Sequence, residues 1–157
     1  MKVLVVGSPG SGKSSVLRAL SELKEAYDLE SWEFNLFSHP KGSTAWICDI
    51  ALLQKFLEEQ KEYIAFYGCN GSNMEEVLPL FDVVVLLRVS PTELAKRLES
   101  REGNLHSYGK TKEERDAILA GHLHFEERMG EYVTFCVDAN VDTKEVANAI
   151  IQLTNPD

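Results

Sequence analysis

Gly7-Ser8-Pro9-Gly10-Ser11-Gly12-Lys13-Ser14 is the stretch that decides the fold of this chain. It fits the spacing G-x-x-x-x-G-K-[ST], whose glycines let the backbone turn so that several N–H groups converge on one anion. The lysine of such a loop reaches the terminal phosphates of a nucleotide, and the final hydroxyl is placed to coordinate Mg²⁺. The flanks agree. Residues 2–6, KVLVV, form an apolar, valine-rich run without alternation, as in a strand buried on both faces. After the loop, Val16, Leu17, Leu20 and Leu23 recur at helical spacing. The loop therefore joins a buried strand to a helix N-terminus, whose partial positive charge favours phosphate. Gly7, Ser8, Pro9, Gly10, Ser11, Gly12, Lys13, Ser14 and Ser15 are the candidate nucleotide-binding residues, with Ser14 the candidate Mg²⁺ ligand.

Outward from the loop, strand and helix patterns alternate. Residues 25–29 are a short candidate strand, and residues 30–48, with Pro40 and Gly42, have no period and read as an irregular insert. A helix follows from about Asp49, with Leu53, Phe56 and Leu57 inward. Residues 63–67 (YIAFY) and 81–89 (FDVVVLLRV) are the third and fourth strands. Ser90, Pro91 and Glu93 predict a capped helix start with a capping box, and Thr111 with Glu114 predict another, opening a helix to about Met129. Residues 131–137 (EYVTFCV) are the last strand, and Thr143 to Leu153 close the chain as a helix with Val146, Ala149, Ile150 and Leu153 on one stripe. This order argues for one α/β domain over residues 1–157, a parallel sheet covered by helices on both faces.

Composition narrows the function. No apolar run approaches the roughly 20 residues that cross a bilayer, and Gly7 interrupts the first apolar run too early for a signal peptide. Cys48, Cys69 and Cys136 are scattered and odd in number, which suggests reduced thiols, a cytoplasmic setting and roles as small buried hydrophobes. A net charge of −9 opposes a polyphosphate partner, so neither nucleic acid nor a membrane is expected. Positive charge is concentrated locally at Lys96, Arg97, Arg101, Lys110, Lys112 and Arg115, either to meet a small anion or as solvated helix faces paired with neighbouring glutamates.

The phosphate-binding loop fixes a nucleotide and leaves the reaction open. The base-reading N-K-x-D of GTPases is absent. The third strand ends Phe66-Tyr67-Gly68-Cys69-Asn70, without the acidic residue that holds Mg²⁺ in motor ATPases. A short chain with a basic segment between residues 96 and 115 points to phosphoryl transfer from ATP to a small molecule.

The whole chain resembles the nucleoside-monophosphate-kinase and shikimate-kinase branch of P-loop proteins, and more closely small bacterial AAA-type or kinase-like ATP-binding proteins. The shared stretches are the P-loop, Tyr67-Gly68-Cys69-Asn70-Gly71-Ser72-Asn73, Phe81-Asp82-Val83-Val84-Val85-Leu86-Leu87, and Tyr108-Gly109-Lys110 followed by Glu113-Glu114-Arg115. The resemblance implies a three-layer fold with a five-stranded parallel sheet ordered 2-3-1-4-5 and a lid at about 102–110. Arg97 and Arg101, four apart on one helical face, match the lid-entry arginines of adenylate-kinase-like enzymes, so Arg97 would flank the base and Arg101 contact phosphate. Arg115 would swing onto the transferred phosphate. Asp28-Leu29-Glu30 stands where shikimate kinases carry Asp-x-Asp; Asp28 would hold Mg²⁺ through water and Glu30 would contact the acceptor hydroxyl, although Glu replaces the second Asp. Asp138-Ala139-Asn140 would pack against adenine, with Asn140 in the nucleotide site. Trp32 and Trp46 are candidate walls of an acceptor pocket in the insert at about 30–48, and His122 and His124, two apart on a helix, read as structural. The expected cofactors are ATP and Mg²⁺, and the expected partner is a small-molecule phosphoryl acceptor. The rival readings are a slow NTPase and a non-catalytic nucleotide-sensing module. Oligomeric state leaves no mark in the sequence.

Overall fold

The structure, a computed structural model, describes residues 1–100 and 111–155. Its centre is β1 (Lys2–Val6), whose four residues Val3 to Val6 are buried. Side chains alternate across a strand, so Leu4 and Val6 enter one core while Val3 and Val5 enter another on the opposite face. That is why the run lacks polar alternation. Each fully buried aliphatic side chain contributes ~1.5–3 kcal/mol relative to an exposed one.

β1 is flanked by parallel partners on both sides, β5 (Ala65–Gly68) and β6 (Val83–Arg88). β2 (Glu25–Asp28) pairs with β5, and β7 (Phe135–Asp138) pairs with β6. The five-stranded order is β2-β5-β1-β6-β7. The intervening labels β3 (Phe37–Ser38) and β4 (Ile47–Cys48) belong to a separate antiparallel hairpin. Counted along the sheet alone, the order is the expected 2-3-1-4-5. The hairpin is what the insert at 30–48 folds into, together with a short 3₁₀ turn at Trp32–Phe34. Two-residue strands are too short to show a period of two, which is why the sequence pattern gave no signal there.

Helices α1 (Lys13–Ser21) and α6 (Thr143–Thr154) cover one face through Val16, Leu17, Leu20, Val146, Ala147 and Ile150. On the other face lie α2 (Ile50–Glu59), the single turn α3 (Met74–Val77) and α5 (Lys112–Gly130). α3 carried no sequence signal because one turn has no repeat. α4 (Pro91–Glu99) packs Leu94 and Leu98 with Val89 and Ile118 in a third small core.

Helix starts follow their caps. Asp49 accepts the N–H of Leu52, and Thr111 and Glu114 form the complete capping box. The box expected at Ser90 is only half formed. Ser90 Oγ accepts the Glu93 N–H, but the Ser90 N–H donates to Asn140 Oδ1 at 2.9 Å and the Glu93 carboxylate turns to Arg97. No helix among the described residues is long and apolar enough to cross a membrane.

The cysteines divide. Cys48 and Cys69 are buried, whereas Cys136 is exposed, against the expectation that all three lie in the core. It sits on the edge strand β7, on the face opposite the buried Val137. Burial pushes the Cys48 thiol up to about 11, and drives the wholly enclosed Cys69 thiol higher still. A raised value keeps the thiol protonated, so near pH 8 neither supplies thiolate. One thiol per native chain, Cys136, is therefore expected to react quickly with an aromatic disulfide reagent at pH 8, with Cys48 and Cys69 reacting only after unfolding. Rapid modification of three thiols in the native protein would contradict this packing.

Candidate functional site

Strand β1 ends at Val6 and helix α1 begins at Lys13, so the glycine-rich stretch fills the turn between them. Gly10 and Gly12 have φ of 91° and 95°, values that L side chains avoid. Gly12 is the N-cap of α1 without a side-chain cap bond, which leaves the first N–H groups of the helix facing the cleft for an anion. Gly7 is required for a different reason: a Cβ there would collide with Ser11 Oγ. At Gly10 a Cβ would stand 2.8 Å from Leu98 Cδ2 and 3.0 Å from Leu94 Cδ1, so the loop rests on α4.

Within the loop, Ser11 N–H donates to Ser8 O at 2.9 Å. Further support comes from distant elements. Arg97 on α4 donates from Nη1 to Ser11 O at 2.8 Å, from Nη2 to Ala139 O, and from Nε to Glu93 Oε1 at 3.2 Å. The guanidinium thus clamps the loop to the segment after β7, with its nitrogens committed to backbone and to Glu93. Three of its five N–H groups are used in this way. Asn140 is fixed as well, its N–H and Nδ2 both donating to Asp138 Oδ1 at 2.8 Å.

The second external support is His122, 1% exposed on α5. Its Nε2 lies 2.7 Å from Val89 O and its Nδ1 2.7 Å from Ser8 Oγ. A carbonyl can only accept, so Nε2 carries a hydrogen and donates to Val89 O, while Nδ1 and the Ser8 hydroxyl share the second bond. Glu126 Oε2 accepts the Val89 N–H at 3.1 Å and lies 3.4 Å from His122 Nε2. His122 was read as structural and His124 likewise; His124 is exposed, whereas His122 holds the phosphate-binding loop. A serine and a histidine 114 residues apart give no local pattern, so the sequence carries no signal for this bond.

A cleft of about 1010 Å³ opens beside the loop, lined by Ser8, Pro9, Gly10, Gly12, Lys13, Ser14 and Ser15 at one end and by insert residues at the other. Lys13 Nζ lies 3.5 Å from Glu30 Oε2. Glu30 also accepts from Trp46 Nε1 at 2.8 Å and from the Asn70 N–H at 3.2 Å. The carboxylate is thereby fixed beside the lysine, at the boundary between the two halves of the cleft. Ser14 and Ser15 are exposed into it.

The other expected residues fall in different places. Asp28, at the end of β2, is exposed and uses Oδ1 to accept the Glu30 N–H at 3.1 Å; it is not among the cleft-lining residues. It shapes the turn that presents Glu30. Trp32 is 89% exposed and away from the cleft, so the aromatic wall is Trp46 alone of the two tryptophans. The 3₁₀ turn projects Trp32 outward, while β4 follows directly on Trp46 and carries it inward. Arg115 is half-buried on the first turns of α5. Arg101 and the expected lid at 102–110 lie outside the described residues. Among those described, no group of three or more acidic, histidine or cysteine side chains forms a metal site. The chemistry present fits a Mg²⁺ held by the Ser14 hydroxyl, phosphate oxygens and water, rather than by a protein cage.

Comparison with known proteins agrees with this geometry. A family model described as an AAA domain matches residues 3–120. No curated relative matches the chain. Among solved structures, a deoxyadenosine kinase from M. mycoides with dCMP and dCDP bound is 18% identical, with a TM-score of 0.60 and 99% of each chain covered. A shikimate kinase from Bacteroides thetaiotaomicron is 19% identical, TM-score 0.62, covering 98% of this chain and 97% of its own. A gluconokinase from Sinorhizobium meliloti is 22% identical, TM-score 0.60, covering 94% and 87%. At such identities the likeness is one of fold.

His122→Phe fills the space of the ring but deletes both of its hydrogen bonds. Leaving the buried Ser8 hydroxyl and Val89 carbonyl without this partner is expected to cost about 1–3 kcal/mol of stability, measured by urea unfolding. MgATP affinity is expected to fall several-fold in calorimetric titration. Unchanged affinity would show that the loop keeps its shape without His122.

Proposed function

We propose that this chain, which belongs to the AAA-domain family, is an ATP-dependent kinase that transfers the γ-phosphate to a small molecule. The observation that carries the reading is the fixed Lys13–Glu30 pair at the mid-point of one continuous cleft. One half is a phosphate-binding loop; the other is a walled pocket of side chains that an ATPase using only water would not need.

Phosphoryl transfer asks a protein mainly for positioning and for charge neutralisation. Loop N–H groups and the α1 N-terminus hold the β- and γ-phosphates, and Lys13 exchanges Glu30 for phosphate oxygens. A bound Mg²⁺ on Ser14 would offset phosphate charge. Arg97 keeps the loop in register, while Arg101 and Arg115 are the proposed cations for charge developing on the transferred group. Glu30, released from Lys13, is the proposed partner of the attacking hydroxyl, and its placement by Trp46 and Asn70 holds it there without the lysine.

The sensing-module reading draws on one observation: β5 runs into Cys69 and Asn70, so no carboxylate follows it. ADP formation across a panel of nucleosides, nucleotides, sugars and hydroxy acids separates the readings. Acceptor-stimulated turnover is expected; a constant rate means hydrolase, and no rate means a binding module. Lys13→Ala is expected to lower the stimulated rate at least a hundredfold, with the melting temperature within a few degrees of the parent. Turnover and MgATP affinity both unchanged in Lys13→Ala would remove the assignment of this loop.

A further inference from the structure

The half of the cleft beyond Lys13 is lined by Glu30, His39, Thr44, Trp46, Asn70 and Ser72. Among the described lining residues Lys13 is the one cation, and it belongs to the phosphate end. Glu30 brings a negative charge to the boundary and is held there by three donors.

The hydrogen-bonding capacity of this lining can be read from the bonds already made. His39 Nδ1 lies 2.8 Å from Ala45 O, so Nδ1 carries a hydrogen and donates to that carbonyl. Asn70 uses its N–H on Glu30 and directs Nδ2 towards Gly7 O at 3.5 Å, which leaves Oδ1 to accept and the second Nδ2 hydrogen to donate. Ser72 Oγ accepts the Trp46 N–H at 3.0 Å and keeps its own hydrogen to donate. The Thr44 hydroxyl serves either way. The uncharged lining groups thus both donate and accept, and the charge fixed among them, on Glu30, is negative. Trp46, backed by the buried Phe37 at 5.5 Å and flanked by His39 at 4.7 Å, adds a rigid apolar wall.

Phosphate and carboxylate groups only accept hydrogen bonds and carry negative charge. They would meet like charge at Glu30. Hydroxyl groups both donate and accept, and C–H faces pack on an aromatic wall. We infer that the acceptor is an uncharged molecule bearing several hydroxyl groups, a nucleoside or a sugar alcohol, rather than a nucleotide or a hydroxy acid. The inference rests on the kinase reading for the word acceptor, but the preference for neutral over anionic ligands stands on the lining alone.

The test uses matched pairs. Trp32→Phe removes the exposed tryptophan and leaves Trp46 as the chain's single tryptophan reporter. With this protein saturated by MgATP or its nonhydrolysable analogue, each nucleoside is titrated against its 5′-monophosphate, and glucose and sorbitol against gluconate and shikimate. Trp46 fluorescence and calorimetry read binding, and ADP release with MgATP reads transfer. The neutral member of at least one pair is expected to bind tenfold or more tightly than its anionic counterpart, and which pair responds distinguishes nucleoside from polyol. Glu30→Gln is expected to narrow that gap to threefold or less, with Glu30→Asp retaining it. Tighter binding of an anion, or no binding by any neutral compound up to 10 mM as a working ceiling, overturns the inference. A gap unmoved by Glu30→Gln also overturns it, provided the variant still binds MgATP as a check of folding. A neutral compound that binds without accelerating ADP release leaves the preference standing and overturns the kinase reading. Acceleration by an anion alone does the reverse.

Discussion

Everything in this structure depends on holding one irregular turn still. The loop between β1 and α1 must point its N–H groups at one spot, and two of its residues occupy left-handed backbone conformations. The six residues between strand and helix share a single backbone bond, Ser11 N–H to Ser8 O. The chain instead braces it from outside: Leu94 and Leu98 lie under Gly10, Arg97 grips Ser11 O, and His122 grips Ser8 Oγ. Each brace is itself anchored, Arg97 to the segment after β7 and His122 to the end of β6. The sheet order therefore serves the loop directly. With β6 next to β1, the elements after β6 fall beside the loop, and α4 and α5 can reach it.

Electrostatics follow the same economy. On the proposed reading, a chain of net charge −9 binds a polyanion at one place. It would do so with dipoles and one ammonium rather than a basic surface, since oriented N–H groups retain their effect inside a shielded cleft. Glu30 lies 3.5 Å from the Lys13 ammonium. Both side chains are partly buried, so an unpaired lysine would lose hydration without compensation. On the proposed reading, the same carboxylate stands between the phosphates and the acceptor.

What was legible in the sequence was whatever obeys a local rule. The buried run at residues 2–6, the glycine spacing, and the Thr111–Glu114 box each declare themselves within a few residues, and each has its counterpart in the fold. The sheet order followed from family likeness, not from periodicity. Ser90 shows how a local rule is overruled: its N–H, due to Glu93, goes to Asn140, 50 residues away. The braces were invisible for the same reason. Arg97 was visible as a cation on a helix face, but its commitment to two carbonyls depends on which loops the sheet brings near it. Trp32 and Trp46 looked equivalent in the sequence, and a short 3₁₀ turn against a two-residue strand decided which one faces the cleft.

The unevenness has a physical origin. Phosphate geometry is the same in every nucleotide, so the loop that binds it tolerates few backbone solutions and keeps a readable spacing. The acceptor differs from protein to protein, and the insert between β2 and α2 is free to differ with it. Here that insert carries a hairpin instead of helix, tied back by Cys48 N–H to Asn73 Oδ1 at 2.9 Å and by paired bonds between Trp46 and Ser72. These bonds join the hairpin to the segment after β5, whose Asn70 N–H in turn fixes Glu30. The wall of the pocket and the carboxylate at its mouth are thus one hydrogen-bonded unit. A change in the hairpin would move Trp46, and with it the Glu30 carboxylate that Trp46 holds, while the glycine-rich loop, braced from α4 and α5, would stay where it is.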